Sequence, residues 1–342
     1  MKENHKVLKR VSLLVAIAFV AFHVYTAIFG VLPGIGQKSV QLGCLLLIFY
    51  INAIIDSKKA VDKAFLVLMG LFGLAGTVYI TVMDTSLQAR SGIVYTIDII
   101  CGILLIISIF EACRRKMGNP LVIITLIFVL YAFFGKYVPG FLNQPGMTVK
   151  KFINLIYLTT SGIWGTPLYA SASYVVIFVL LGAIMSVSGV GDYFTSLATS
   201  AFGSFRGGPA KVAVVASGLF GSISGSPTAN VIGTGSFTIP MMKKNGFEDE
   251  YAAAVEATAS TGGAIMPPIM GSTAFVMAEM IGVPYSSIAA AALIPAILYF
   301  LSILFAVDIH AAKNGLRGVP RDQLPSLRSM VKEIYKIFPL VF

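Results

Sequence analysis

Five oxygen-bearing side chains crowd one short turn, Ser222, Ser224, Ser226, Thr228 and Asn230, within GLFGSISGSPTANVIGTGSFTIP at residues 218–240. Downstream lies a second irregular stretch, STGGAIMPPIMGS at 260–272. Neutral hydroxyl and carbonyl oxygens suit a hard monovalent cation such as sodium, which wants several oxygen ligands and no formal anion. Gly225 and Pro227 let the first turn leave helical geometry and expose carbonyls. In the second stretch Thr261, Gly262 and Gly263 loosen the backbone. Pro267 and Pro268 remove two amide donors, so nearby carbonyls lose their helical partners. Both stretches are flanked by apolar residues, and in hydrocarbon an unpaired carbonyl costs several kcal/mol. Such breaks persist only where they face protein, water or an ion, and two of them mark the ion and substrate site of a transporter.

The elements that position these breaks must be membrane helices. In 342 residues the chain is 57% hydrophobic and only 12% charged, and its mean hydropathy is +0.86. A soluble domain carries roughly twice that charged fraction. The apolar runs reach the ~20 residues that a spanning helix needs, so the expected fold is an all-α polytopic membrane protein. Spans are expected at 11–32, 40–55, 64–83, 93–110 and 121–138. An amphipathic surface stretch follows at 148–167, where Trp164 is expected at the headgroup level, and a further span at 169–187. The first run is too long for a signal-peptide core and lacks a small-residue cleavage site.

A net charge of +10 raises the question of nucleic acid, and its placement answers it. Basic residues cluster at alternate loops: Lys2, Lys6, Lys9 and Arg10; Lys58, Lys59 and Lys63; Arg114, Arg115 and Lys116; Arg206 and Lys211; Lys243 and Lys244; then Lys313 to Lys336. Only Lys38, Arg90, Lys136, Lys150 and Lys151 fall elsewhere. This positive-inside pattern puts the N-terminus in the cytoplasm and gives no support to nucleic-acid binding. Residues 212–242 have basic residues at both ends, which predicts a re-entrant helical hairpin, with one long tilted helix as the alternative. Residues 250–280 are expected to cross outward with a break at 262–268, and 288–307 to return. Cys44, Cys101 and Cys113 lack metal or disulfide spacing and read as packing residues.

Single residues admit competing readings. Glu256 and Glu279 lie on the two arms of the broken helix, and an intramembrane carboxylate is a functional candidate by default. Asp98 pairs with a polar neighbour such as Tyr95 or reaches the outer interface. His23 reads as a hydrogen-bonded packing residue. Gly189-Val190-Gly191-Asp192 matches the short GxGD pattern of intramembrane aspartyl proteases, whose chemistry needs a second aspartate sharing a proton. The context of Asp98 does not fit that role, and no histidine lies near Ser222–Ser226 to serve a serine protease. No catalytic residue is assigned. A non-transporting scaffold is the third class, and it leaves both breaks unexplained.

GSISGSPTANVIGTGSFTIPMM, followed by AAAVEATASTGGAIMPPIMGSTAFVMAE, resembles the large membrane subunit of tripartite ATP-independent periplasmic (TRAP) transporters. STGGAIMPPIMG and the preceding helices resemble the fused permease type that works with a TAXI-class binding protein. The likeness is close over 157–320, whereas the first spans match the small-subunit portion by hydropathy alone. The resemblance implies a permease in the bacterial or archaeal inner membrane. It would couple sodium entry to uptake of an organic acid delivered by a periplasmic TAXI-type solute-binding protein. Sodium is the coupling ion, with no other metal or cofactor. Carried over by position, the sodium ligands are Ser224 and Ser226 with backbone oxygens of Gly263, Met266 and Pro268. Ser222, Thr228, Asn230, Glu256 and Thr261 are candidates to touch substrate or to support those ligands. The implied organisation is 1–140 as helices like the small subunit, 141–328 as the first half of an inverted-repeat transport core, and 329–342 as the start of a truncated span. The C-terminal half of the core would then be missing, or supplied as a separate piece.

Overall fold

The computed structural model describes residues 2–90, 92–320 and 324–325; the expected start of a further span at 329–342 lies outside them. Among the described residues every regular element is helical. Seven helical stretches among the described residues are long and apolar enough to cross a membrane: His5–Phe29, Gly36–Asp56, Ala60–Leu87, Thr96–Met117, Asn119–Tyr137, Thr166–Ile184 and Tyr285–Lys313. The all-α polytopic reading therefore stands. The chain divides into two compact units, Met1–Ser173 and Tyr174–Phe342.

The first unit is built from α1 (Lys2–Phe29), α2 (Gly36–Asp56), α3 (Ala60–Ala89), α4 (Thr96–Met117), α5 (Asn119–Phe134), α6 (Val149–Ile153) and α7 (Thr166–Ala170). Tyr50, Leu66, Ile80, Leu105, Tyr157 and Trp164 form its core. No residue of α5 is buried by protein, as suits a helix that is apolar all round and has lipid for solvent.

Trp164 departs from expectation: it is fully buried instead of standing at an interface. Its indole N–H donates to the Tyr157 carbonyl at 2.5 Å, and its own carbonyl accepts from Lys38 Nζ at 2.9 Å. An indole whose one donor is satisfied internally no longer needs the headgroup region. Asp98 is also better held than its neighbours in sequence suggest. It caps α4 by accepting from the Tyr95 amide at 2.7 Å, accepts from the Tyr79 hydroxyl at 2.6 Å, and takes both guanidinium nitrogens of Arg90 at 2.8 and 2.9 Å. Asp98 is fully buried and Arg90 partly so. Losing one partner strands the other charge, which costs about 3–5 kcal/mol when buried. Arg90→Gln is therefore expected to lose about 3 kcal/mol, the low end because Arg90 keeps some solvent contact. Thermal melting in detergent checks this, and an unchanged midpoint would show the pair to be neutral.

The second unit comprises α8 (Val176–Val187), α9 (Val190–Phe202), α10 (Gly208–Ser224), α11 (Pro227–Lys244), α12 (Asp249–Gly262), α13 (Ser272–Ile281) and α14 (Tyr285–Lys313). The expected hairpin is α10 and α11, joined by only Gly225 and Ser226. Gly225 adopts a left-handed conformation at φ 59°, which ends α10, and Pro227 opens α11 as a first-turn proline. The single long helix is thereby excluded. The broken helix is α12 and α13, separated by a 3₁₀ turn at Gly263–Ile265 and non-helical residues up to Gly271. Helix α10 packs on α9, α11, α12 and α14. Gly, Ala and Ser dominate its buried positions, and small residues let helix backbones approach closely where no aqueous hydrophobic effect drives packing.

Candidate functional site

The hairpin tip and the helix break meet main chain to main chain. The Ile269 amide donates to the Ser222 carbonyl at 3.0 Å, and the Gly271 amide closes the break on the Ala264 carbonyl at 2.7 Å. One turn below the tip, a Cβ on Gly221 would stand 2.4 Å from the Gly263 Cα. At the tip, a Cβ on Gly225 would stand 1.9 Å from the Met270 carbonyl oxygen. Gly225→Ala is therefore doubly unfavourable. A left-handed L-residue costs about 1–2 kcal/mol, and the added methyl forces tip and break apart. The expected outcome is a destabilised protein with low yield in the membrane; normal expression and melting would mean that the tip can give way.

Around this contact the sequence candidates separate into three groups. Ser224 Oγ is shielded from solvent and has no hydrogen-bond partner among the described residues, unusual for a hydroxyl whose burial otherwise demands a partner. Ser226 caps α11, its Oγ accepting from the Ala229 amide at 3.4 Å. The Gly263 carbonyl accepts from the Met266 amide at 3.3 Å, and the Pro268 carbonyl accepts from the Tyr285 hydroxyl at 3.0 Å. The same hydroxyl also lies against the Ile269 carbonyl, and its single proton is shared between the two. Each carbonyl has two lone pairs, so these bonds leave one acceptor site apiece.

Ser222 and Thr261 bond back to their own helices, to the Leu219 carbonyl at 2.7 Å and the Ala257 carbonyl at 2.8 Å. Thr261 and Thr228 are exposed. Asn230 is fully buried. Its Nδ2 donates to the Ser217 carbonyl at 2.8 Å. It sits beside the Gly221–Gly263 contact, within 3.0 Å of where a Cβ on either glycine would stand.

Glu256 is also fully buried. Its Oε1 accepts from Ser217 at 2.8 Å, Thr234 at 2.6 Å and Ser260 at 3.1 Å, and its Oε2 from Thr238 at 2.5 Å. One carboxyl thus ties α10, α11 and α12 together through four hydroxyls. Sequence reading passed over these hydroxyls and Tyr285. A signal existed: Asn230, Thr234 and Thr238 recur every fourth residue, a polar stripe on one face of α11, and Ser260 lies one turn from Glu256.

An all-helical, multi-spanning protein with a hairpin tip seated on a broken helix is the architecture of a secondary transporter core. Residues 104–342 match the model of the family described as tripartite ATP-independent periplasmic transporter, DctM component. The chain belongs to that family. Among its relatives, the uncharacterized protein y4mL of Sinorhizobium fredii is 33% identical over 154 residues, 44% of this chain and 36% of the relative. The C4-dicarboxylate TRAP transporter large permease protein DctM of Vibrio cholerae is 34% identical over 143 residues, 42% of this chain and 31% of the relative. The sialic acid TRAP transporter permease protein SiaT of Haemophilus influenzae is 30% identical over 145 residues, 42% of this chain and 23% of the relative. The chain thus matches about a third or less of the length of these relatives.

Proposed function

We propose that this chain forms part of the permease of a sodium-coupled secondary transporter that takes up organic acids handed over by a TAXI-type periplasmic binding protein. The observation that carries this reading is the shielded, unpartnered Ser224 hydroxyl at a hairpin tip seated on a helix break. Neutral oxygens are what sodium takes, and here they come from a hydroxyl and from carbonyls freed by Gly and Pro. Ser224 and Ser226 would hold the ion with carbonyls of Gly263, Met266 and Pro268. Thr228 and Thr261, exposed beside the tip and the break, are positioned for substrate, whereas Ser222, Asn230 and Glu256 support the framework. In this reading residues 1–140 correspond to the small-subunit helices and 141–328 to half of the transport core. The N-terminus lies in the cytoplasm, as the positive-inside pattern requires. The names of relatives point to acidic substrates: C4-dicarboxylate, sialic acid and isethionate.

The test is uptake by the complete assembly in liposomes. Accumulation should require the binding protein and an inward sodium gradient together. Uptake that persists with potassium replacing sodium, or without the binding protein, would overturn the coupling mechanism or the partner, respectively.

A further inference from the structure

Away from the tip and the break, the second unit carries an apolar groove of about 330 Å³ between the end of α9, the start of α10 and the C-terminal half of α14. Phe202, Leu301, Leu304 and Phe305 line it, and Lys211 and Asp308 stand at one end. Phe305 is 66% and Leu301 42% exposed, as expected of side chains whose solvent is acyl chain. At the same end a second recess is lined by Arg206 and Arg317.

This end is built, not incidental. The turn after α14 is pinned to the turn before α10 by two main-chain bonds, the Val319 amide to the Gly203 carbonyl at 2.8 Å and the Gly207 amide to the Leu316 carbonyl at 3.4 Å. Those bonds hold Arg317 beside Arg206. Asp308 accepts from Lys211 Nζ at 2.6 Å and also pairs with Arg206. Among the described residues, three cations against one carboxylate leave a local charge of +2 (3 − 1).

We infer that this groove binds one anionic phospholipid, an acyl chain lying along Phe202, Leu301 and Phe305 and the phosphodiester held by Lys211, Arg206 and Arg317. The joint presence of both halves selects this occupant. A neutral lipid would leave the excess cationic charge unanswered, and a free phosphate would have no use for the groove. Guanidinium groups match phosphate oxygens in geometry as well as charge. Basic recesses between helices on the cytoplasmic side are typical headgroup sites, and this is the side to which the positive-inside pattern assigns these residues.

The test is native mass spectrometry of the full chain in detergent, titrated with phosphatidylglycerol or phosphatidylcholine. Phosphatidylglycerol should bind selectively, and Arg317→Gln should weaken it about fivefold, the scale for one basic residue near a membrane surface. Arg206→Gln combined with Arg317→Gln should reach about twenty-five-fold if the two act independently. Arg317 is exposed, so the single variant keeps the test valid if the double variant fails to fold. Lys58→Gln with Lys59→Gln, in the other unit, should change nothing. Equal affinity for the two lipids, an unaffected Arg317→Gln variant, an equal effect of the remote pair, or displacement of the lipid by inorganic phosphate would each overturn the proposal.

Discussion

Replacing Ser224 with alanine will shift the sodium dependence of uptake by about tenfold to a hundredfold. The shift corresponds to about 1–3 kcal/mol, the scale of one lost partner at a buried polar site. The hydroxyl makes no other hydrogen bond among the described residues, so its loss leaves no protein partner unsatisfied and should spare folding. Uptake should fall at low sodium and recover at high sodium, with expression and melting near those of the parent. Ser226→Ala supplies the contrast. Ser226 Oγ also caps α11, so this variant should lose sodium affinity and in addition about 1 kcal/mol of stability. Unchanged sodium dependence in both variants, measured in a transport-competent assembly, would reduce the tip to a packing kink.

The largest expected effect on stability belongs to Glu256. Truncation to alanine strips four hydroxyls of their shared acceptor inside a fully buried seam. A buried polar group left without a partner costs about 1–3 kcal/mol. Some of the four have an alternative: Thr234 also reaches the Asn230 carbonyl at 3.0 Å and Thr238 the Thr234 carbonyl at 3.1 Å. Allowing for that rescue and adding the cavity left by the side chain, a loss of about 3–6 kcal/mol is expected. Glu256→Gln should fall between, because it keeps one acceptor oxygen and Thr238 can turn its proton to the Thr234 carbonyl to receive the new amide. The order of melting temperatures, parent above Gln above Ala, is the check. Alanine melting like the parent would show that the network holds nothing together.

The hairpin and the broken helix were legible because their signals are local. A glycine followed by serine and proline at 225–227, or two consecutive prolines at 267–268, limits the backbone whatever surrounds it. What escaped notice is held by partners far apart in the chain. The acceptors of Ser217, Thr234 and Thr238 all belong to Glu256, 39, 22 and 18 residues away respectively. Trp164 misled for the same reason: an indole at an amphipathic segment reads as an interface anchor until the Tyr157 carbonyl is seen to take its proton. Two of the basic residues that broke the alternating charge pattern have a structural reason to do so. Lys38 is buried against the Trp164 carbonyl and Arg90 is paired with Asp98, so neither is a free loop charge.

The contact between Gly221 and Gly263 has an electrical consequence. Two main chains lie so close there that a single added methyl would collide, which leaves no width for a file of water at that crossing. An ion gradient does useful work only if ions cannot slip through without cargo, and uncoupled leakage needs such a file. In the proposed transporter, that close approach would serve as insulation.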